Sequence, residues 1–150
     1  MPNEILIVED NEYKRTRIKE LISTEFPDCK ISECYSFTSA WKLISSNKFD
    51  LILLDMSIPT FDKTDSDLGG TFRVFGGREL ARKIKRRAIS TKFVFITQYK
   101  SFSDSTSSLS FEGLKDELLL QYEDECLGLI LYSNTASDWR EELIMHMREL

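Results

Sequence analysis

The chain has one histidine, three cysteines, no long apolar run and no excess of positive charge, and each shortage removes a class of protein. The histidine, His146, stands in what reads as the final helix, with no acid–base partners around it in sequence. That does not fit a kinase or a histidine phosphotransfer protein, so His146 reads as a surface or packing residue. Cys29, Cys34 and Cys126 are odd in number and lack zinc-ligand spacing, so they read as reduced thiols. No stretch approaches the length needed to span a bilayer. The opening Met1-Pro2-Asn3-Glu4 lacks the basic start and apolar core of a signal peptide. The expected location is the cytoplasm, with no membrane contact. With 20 Lys and Arg against 25 Asp and Glu, the net charge of -5 argues against nucleic acid as the direct partner.

What remains is an ordinary soluble composition, 41% hydrophobic and 30% charged over 150 residues. That length predicts one domain over 1–150, large enough to bury a real core. Apolar runs of strand length alternate with helical periodicity. Strands are predicted at 4–8, 30–34, 50–54, 93–96 and 127–132. Helices are predicted at 11–25 with Asn11 as N-cap, at a segment capped by Thr38 and carrying Ala40, Leu43 and Ile44, at 78–87, at 111–123 and at 137–149. Leu80, Ala81 and Ile84 point inward on the third helix; Trp139, Leu143 and Met147 recur at i, i+4 and i+8 on the last. Five β–α units in alternation imply an α/β fold: a doubly wound five-stranded parallel sheet with helices on both faces.

Two of these strands stop on acids. Ile5-Leu6-Ile7-Val8 ends at Glu9-Asp10, and Leu51-Ile52-Leu53-Leu54 ends at Asp55. In open α/β sheets the carboxyl edge of the strands is where sites are built. Carboxylates gathered there repel one another unless a cation or a phosphoryl-transfer role accounts for them. Two connections interrupt the rhythm: 59–77, an inserted loop with the pairs Gly69-Gly70 and Gly76-Gly77, and the serine-rich 100–110. Both follow strand carboxyl ends, so both are expected beside the acids, and their length marks them as candidates for a functional role.

The runs Ile5-Leu6-Ile7-Val8-Glu9-Asp10-Asn11-Glu12, Asp50-Leu51-Ile52-Leu53-Leu54-Asp55-Met56-Ser57-Ile58-Pro59 and Phe95-Ile96-Thr97, in this order, resemble the response-regulator receiver domains of the CheY-like family. The resemblance implies the flavodoxin-like receiver fold and a phosphoacceptor module of a two-component phosphorelay, not an enzyme beyond its own phosphorylation and dephosphorylation. Carried over by position, Asp55 is the phosphoacceptor. Glu9, Asp10, Asp55 and the backbone carbonyl of Ser57 hold Mg²⁺, and Thr97 supplies the hydroxyl that bonds a phosphoryl oxygen. The implied partner is a histidine kinase or phosphotransfer protein; a homodimer through the fourth and fifth helices is common in such domains.

Three departures stand beside the match. The family's lysine at the end of the last strand is replaced by Tyr132, in Leu129-Ile130-Leu131-Tyr132-Ser133-Asn134, and a phenol does not replace a cation. Lys100, Lys63 and Arg73 are candidates to reach in from the loops. Gln98 follows Thr97 where the family carries a small residue. The 59–77 connection is far longer than the family's turn, and a lid or a docking element is expected there. These departures leave open a degenerate pseudo-receiver that binds partners without phosphorylation. A phosphatase of the haloacid dehalogenase type needs a second aspartate two residues after the nucleophile, where this chain has Ser57. Lys83, Lys85, Arg86 and Arg87 read as a solvated helix end complementing the helix dipole. For Tyr99 and Phe102 two readings stand: exposed near the switch residue, or packed, as loop aromatics often are.

Overall fold

In the computed structural model, which describes residues 2–150, the two acid-terminated strands lie side by side. β1 (Glu4–Val8) pairs in parallel with β3 (Leu51–Leu54) in the register Val8↔Leu54, so Glu9 and Asp55 leave the sheet at the same level. β2 (Lys30–Cys34) flanks β1, while β6 (Lys92–Thr97) and β9 (Cys126–Leu131) continue beyond β3. The strand order is β2-β1-β3-β6-β9, all parallel. This is the doubly wound sheet that the alternating pattern predicts.

Both faces of the sheet are covered, which is why β1, β3, β6 and β9 run largely apolar, whereas the edge strand β2 is interspersed with polar residues. Successive strand residues point to opposite faces. Leu6, Val8, Ile52, Leu54, Phe93 and Phe95 pack with α2 (Phe37–Ser46), α3 (Gly76–Arg86) and α4 (Phe111–Gln121). Ile5, Ile7, Leu51, Leu53, Val94 and Ile96 pack with α1 (Glu12–Glu25) and α5 (Asp138–Arg148). Trp139, Leu143 and Met147 are buried on α5, the stripe read from the sequence. Each such side chain contributes about 1.5–3 kcal/mol on burial. The corresponding stripe of α1 is Lys14, Ile18 and Ile22, all buried, with a lysine in the place of an apolar residue.

The helix starts follow local chemistry. Asn11 caps α1, its side chain accepting from the Lys14 N–H at 2.9 Å. Thr38 does not cap α2. Ser36 does, through a reciprocal box in which its hydroxyl accepts from Ser39 N–H and the Ser39 hydroxyl accepts from Ser36 N–H. The Thr38 N–H donates instead to the Thr60 carbonyl, tying α2 to the segment after β3.

Each of the two long connections is closed by a short antiparallel pairing. Within 59–77, β4 (Ile58–Pro59) pairs antiparallel with β5 (Phe72–Arg73). Gly69 and Gly70 hold φ of 98° and 68° on the return of that hairpin, a left-handed backbone that glycine adopts without penalty. The second glycine pair opens α3 two residues earlier than predicted. There the absent side chain of Gly77 lets the helix touch the backbone of Asp55 and Met56. Within 100–110, β7 (Ser101–Ser103) pairs with β8 (Ser108–Ser110). Phe102 is buried at 3% exposure with its ring 6.1 Å from that of Phe75, the packed one of its two readings. Alternation inside a short strand turns it into the core while its serine neighbours face water. Tyr99 is exposed, the other of the two readings. Among the described residues no helix is long and apolar enough to cross a membrane.

Candidate functional site

The carboxyl ends of β1 and β3 bring three acids together. Glu9, Asp10 and Asp55 each offer a carboxylate oxygen within 4.8 Å of the others. Glu9 and Asp55 are buried, and Asp10 is partly exposed at the mouth. The backbone fixes them: Asp55 N–H donates to the Val8 carbonyl at 3.0 Å, and Glu9 N–H to the Cys34 carbonyl at 3.0 Å. Ser57, two residues beyond Asp55, is buried, and its hydroxyl donates to the Val74 carbonyl at 2.7 Å, joining the strand end to the residues before α3.

Thr97 closes β6, beside β3, and is fully buried. Its hydroxyl oxygen accepts from the Tyr99 N–H at 3.3 Å. Tyr132 follows β9 and is buried, with its hydroxyl without a hydrogen-bond partner and its ring 5.0 Å from that of Trp139. Gln98 is exposed.

A cation already stands inside this cluster, and it comes from α1. Lys14 is 1% exposed. Its Nζ lies 2.6 Å from Glu9 Oε1 and 3.4 Å from Asp55 Oδ1, and it donates to the Ile96 carbonyl at 2.8 Å. The three loop cations considered from the sequence do not play this part. Arg73 turns to Glu79 and to the Thr60 hydroxyl, and Lys100 is exposed. Lys63 reaches the outer acid only, with Nζ 3.4 Å from Asp10 Oδ2. The 59–77 hairpin thus lies beside the acids as expected. Lys14 was missed although its signal is present: it occupies the first position of the stripe 14, 18, 22, where a lysine must either bend to water or be paired inside.

The charges in the cluster are strongly coupled. Burial pushes the Glu9 carboxyl up to about 8, the Asp55 charge adds to this, and Lys14 pulls it back. Burial raises Asp55 as well, opposed by Lys14. Burial draws Lys14 down, but the Asp55 and Glu9 charges outweigh it and hold the ammonium above its ordinary value. Asp55 Oδ1 is buried without a hydrogen bond; the 3.4 Å approach of Lys14 is an ionic contact only. Glu9 and Asp55 share the one buried ammonium of Lys14, and Asp10 meets only the exposed Lys63, which leaves room for further positive charge.

Away from this edge the other singled-out residues pack or meet water. A Cβ on Gly128 would fall 2.9 Å from His146 Nε2, so His146 serves packing against β9. Lys83 and Arg87 lie over the Trp41 ring at 4.7 and 5.7 Å, and Lys85 pairs with Glu125.

Comparison with known proteins agrees with this geometry. The family described as the response regulator receiver domain matches residues 5–118. The Detocs response regulatory protein DtcB of Enterobacter cloacae (strain JD6301) is 32% identical over 149 residues, covering 98% of this chain and 99% of that protein. The signal receiver domain of a LuxO repressor protein from Vibrio parahaemolyticus shares the fold at a TM-score of 0.65 and 18% identity, over 99% of this chain and 92% of that one. The response regulator TrrA of Thermotoga maritima, solved in complex with Mg²⁺ and BeF, does so at 0.61 and 19%, over 96% and 98%. By sequence, strand order and the position of its acids, this chain belongs to the response regulator receiver domain family, whose members are signalling modules.

Proposed function

We propose that the chain accepts a phosphoryl group on Asp55 in a Mg²⁺-dependent reaction, as the phosphoacceptor of a two-component relay. The whole of 1–150 is read as one receiver unit carrying an inserted hairpin. The observation that carries the reading is the acid cluster: three carboxylates within 4.8 Å at the carboxyl edge of a parallel sheet, with Asp55 Oδ1 buried and lacking a hydrogen bond. The donor set fits the metal. Mg²⁺ takes oxygen ligands in octahedral geometry and keeps several waters, so a few carboxylates and one carbonyl suffice. Glu9, Asp10, Asp55 and the Ser57 carbonyl would hold it. When bound, the ion offsets the clustered carboxylates and the charge of an incoming phosphoryl group.

The chain's own residues do the rest. A carboxylate oxygen of Asp55 attacks phosphorus in line; the new O–P bond forms as the bond to the donor breaks, and the leaving group carries away the electron pair. Asp55 needs no base, because the carboxylate is the nucleophile. Burial keeps competing water from the acyl phosphate. Thr97, at the end of the neighbouring strand, offers a hydroxyl for a phosphoryl oxygen. A phosphohistidine on a kinase or phosphotransfer partner is the donor this chemistry calls for. The TrrA relative, held with Mg²⁺ and BeF, supports the same pairing of metal and phosphoryl mimic here.

The test is intact mass after incubation with acetyl phosphate and Mg²⁺, for wild type and Asp55→Asn. One phosphoryl adduct on wild type and none on the variant is expected. No adduct under conditions that modify another receiver overturns the reading, and leaves a phosphorylation-independent binding module.

A further inference from the structure

We propose that Lys14, on the first turn of α1, supplies the fixed positive charge that meets the phosphoryl group at Asp55, in place of the lysine missing from the end of β9. The inference rests on Asp55 being the phosphoacceptor, and it assigns the work of the absent lysine to a residue on a different element.

Three observations converge. Among the described residues, Lys14 is the one cation within 4 Å of the Asp55 carboxylate. Its ammonium is fixed from three directions: by Glu9 after β1, by the Ile96 carbonyl on β6, and by Asp55 after β3. Its backbone is held too, since Lys14 N–H donates to the Asn11 cap. Secondly, Tyr132 stands where the resemblance puts the family's lysine, and its ring lies 5.6 Å from Lys14 Nζ. Its buried hydroxyl makes no hydrogen bond. Tyr132 walls the ammonium in and leaves the charge to Lys14. Thirdly, the engagement of Nζ is uneven. The Glu9 and Ile96 oxygens take donors at 2.6 and 2.8 Å, while Asp55 Oδ1 stays at 3.4 Å without a hydrogen bond. An ammonium has three donors, so one remains for a phosphoryl oxygen at Asp55.

A purely structural account is weaker. A buried ion pair is often no better for stability than apolar residues of the same size. Apolar residues at Lys14 and its buried acid partners together would pack without that cost, so stability alone does not account for the cluster. In the reaction Lys14 gives and takes no proton. It stabilises charge that builds on the phosphoryl oxygens while the O–P bond to Asp55 forms and the donor's bond to phosphorus breaks, its electron pair leaving with the donor. A preorganised cation of this kind acts most strongly where water is excluded.

The experiment compares wild type, Lys14→Met, Lys14→Arg and the double variant Lys14→Met with Tyr132→Lys. Two quantities are read: the phosphorylation rate with acetyl phosphate at saturating Mg²⁺, and the affinity for Mg²⁺ alone by calorimetry. Lys14→Met is expected to slow phosphorylation by about 10²-fold, the loss typical of removing one transition-state donor. It is expected to bind Mg²⁺ as tightly as wild type or tighter, because a competing cation has left Glu9 and Asp55. A slowed rate with Mg²⁺ affinity kept or raised distinguishes a role toward the phosphoryl group from damage to the fold, which weakens both. The Tyr132→Lys change is expected to restore at least about tenfold of the lost rate. Lys14→Arg, which keeps the charge, guards against a Met variant that fails to fold and is expected to fall between the two.

Phosphorylation of Lys14→Met within about twofold of wild type overturns the inference while leaving Asp55 as acceptor. Parallel loss of rate and Mg²⁺ affinity, with no rescue by Tyr132→Lys, overturns it as well. A wild type that takes no phosphoryl group overturns the acceptor reading and this inference together.

Discussion

Lys63 Nζ, from the loop of the β4–β5 hairpin, stands 3.4 Å from Asp10 Oδ2. An inserted segment therefore places a positive charge on the outer acid of the cluster. The same loop is tied down elsewhere: Asp62 accepts from the Ser39 hydroxyl at 2.9 Å, and Phe61 N–H donates to the Gly69 carbonyl at 2.9 Å. The contact competes with any cation that needs Asp10.

Lys63→Ala is expected to raise Mg²⁺ affinity by about two- to fivefold, the scale of an exposed ion pair of up to about 1 kcal/mol. The gain should shrink as salt screens the pair. Calorimetry at low and high ionic strength checks both points. Shortening the hairpin between 61 and 70, which spares buried Ile58, is expected to speed phosphorylation or dephosphorylation with the melting curve kept. Unchanged rates would dispose of a lid.

Metal is expected to stabilise the fold. With Mg²⁺ at a hundredfold excess over its Kd, linkage contributes about 2.7 kcal/mol, or roughly 5–10 °C in Tm for a chain of this size. Asp10→Asn should abolish most of the rise, and a chelator should reverse it in wild type. Thermal melts with and without Mg²⁺ decide this.

Gly77→Ala is expected to cost about 1–3 kcal/mol, because the added Cβ would meet the Asp55 carbonyl oxygen and come within 3.1 Å of Met56 Cα. Neither neighbour is a flexible side-chain end that yields. The displaced backbone carries Asp55, so phosphorylation should slow along with the loss of stability. Urea unfolding and the phosphorylation rate test the two together.

The Asp50 carboxyl is held below its ordinary value because the Glu4 and Asn3 N–H groups donate to it at 2.9 and 2.8 Å. A depressed folded pKa contributes stability above the unfolded value, about 4, and loses it as pH falls through the folded value. Asp50→Asn should therefore lower the urea midpoint at neutral pH, with the gap from wild type closing below about pH 4. A gap that stayed constant with pH would refute a charge-dependent role.

Burial pushes the Cys34 thiol to about 12 and Cys126 to about 11, whereas Cys29 is only half-buried. Alkylation follows the thiolate. Native protein treated with iodoacetamide near pH 8 is expected to label at Cys29 first, with Cys34 and Cys126 modified only after denaturation. Peptide mass mapping reads the order.

Much of this fold was legible because its signals are local. A strand buried on both faces has to be apolar at every residue, so β1, β3, β6 and β9 showed as runs, and the acids that end two of them showed as interruptions. The α5 stripe of Trp139, Leu143 and Met147 was equally plain. Thr38 misled because nearby hydroxyl residues can each cap; the extended backbone of Ser36 and its reciprocal bonds with Ser39 decided for Ser36. Phe102 stayed open between water and core because a three-residue strand in a serine-rich run looks like a loop until its hairpin partner is known.

By itself the sequence determined the order of the five strands and five helices of the doubly wound sheet, and Glu9, Asp10 and Asp55 as a cluster, since residues that end adjacent parallel strands have nowhere else to go. The source of the cation was decided only in three dimensions. Lys14 is four residues past Asp10 and forty-one before Asp55; the stripe 14, 18, 22 turns it inward, but nothing in the spacing says which groups it meets there. Packing of α1 against β1, β3 and β6 aims its first stripe position at the carboxyl edge rather than at water. Lys63 likewise meets Asp10 because the β4–β5 pairing folds its loop back over the mouth of the site.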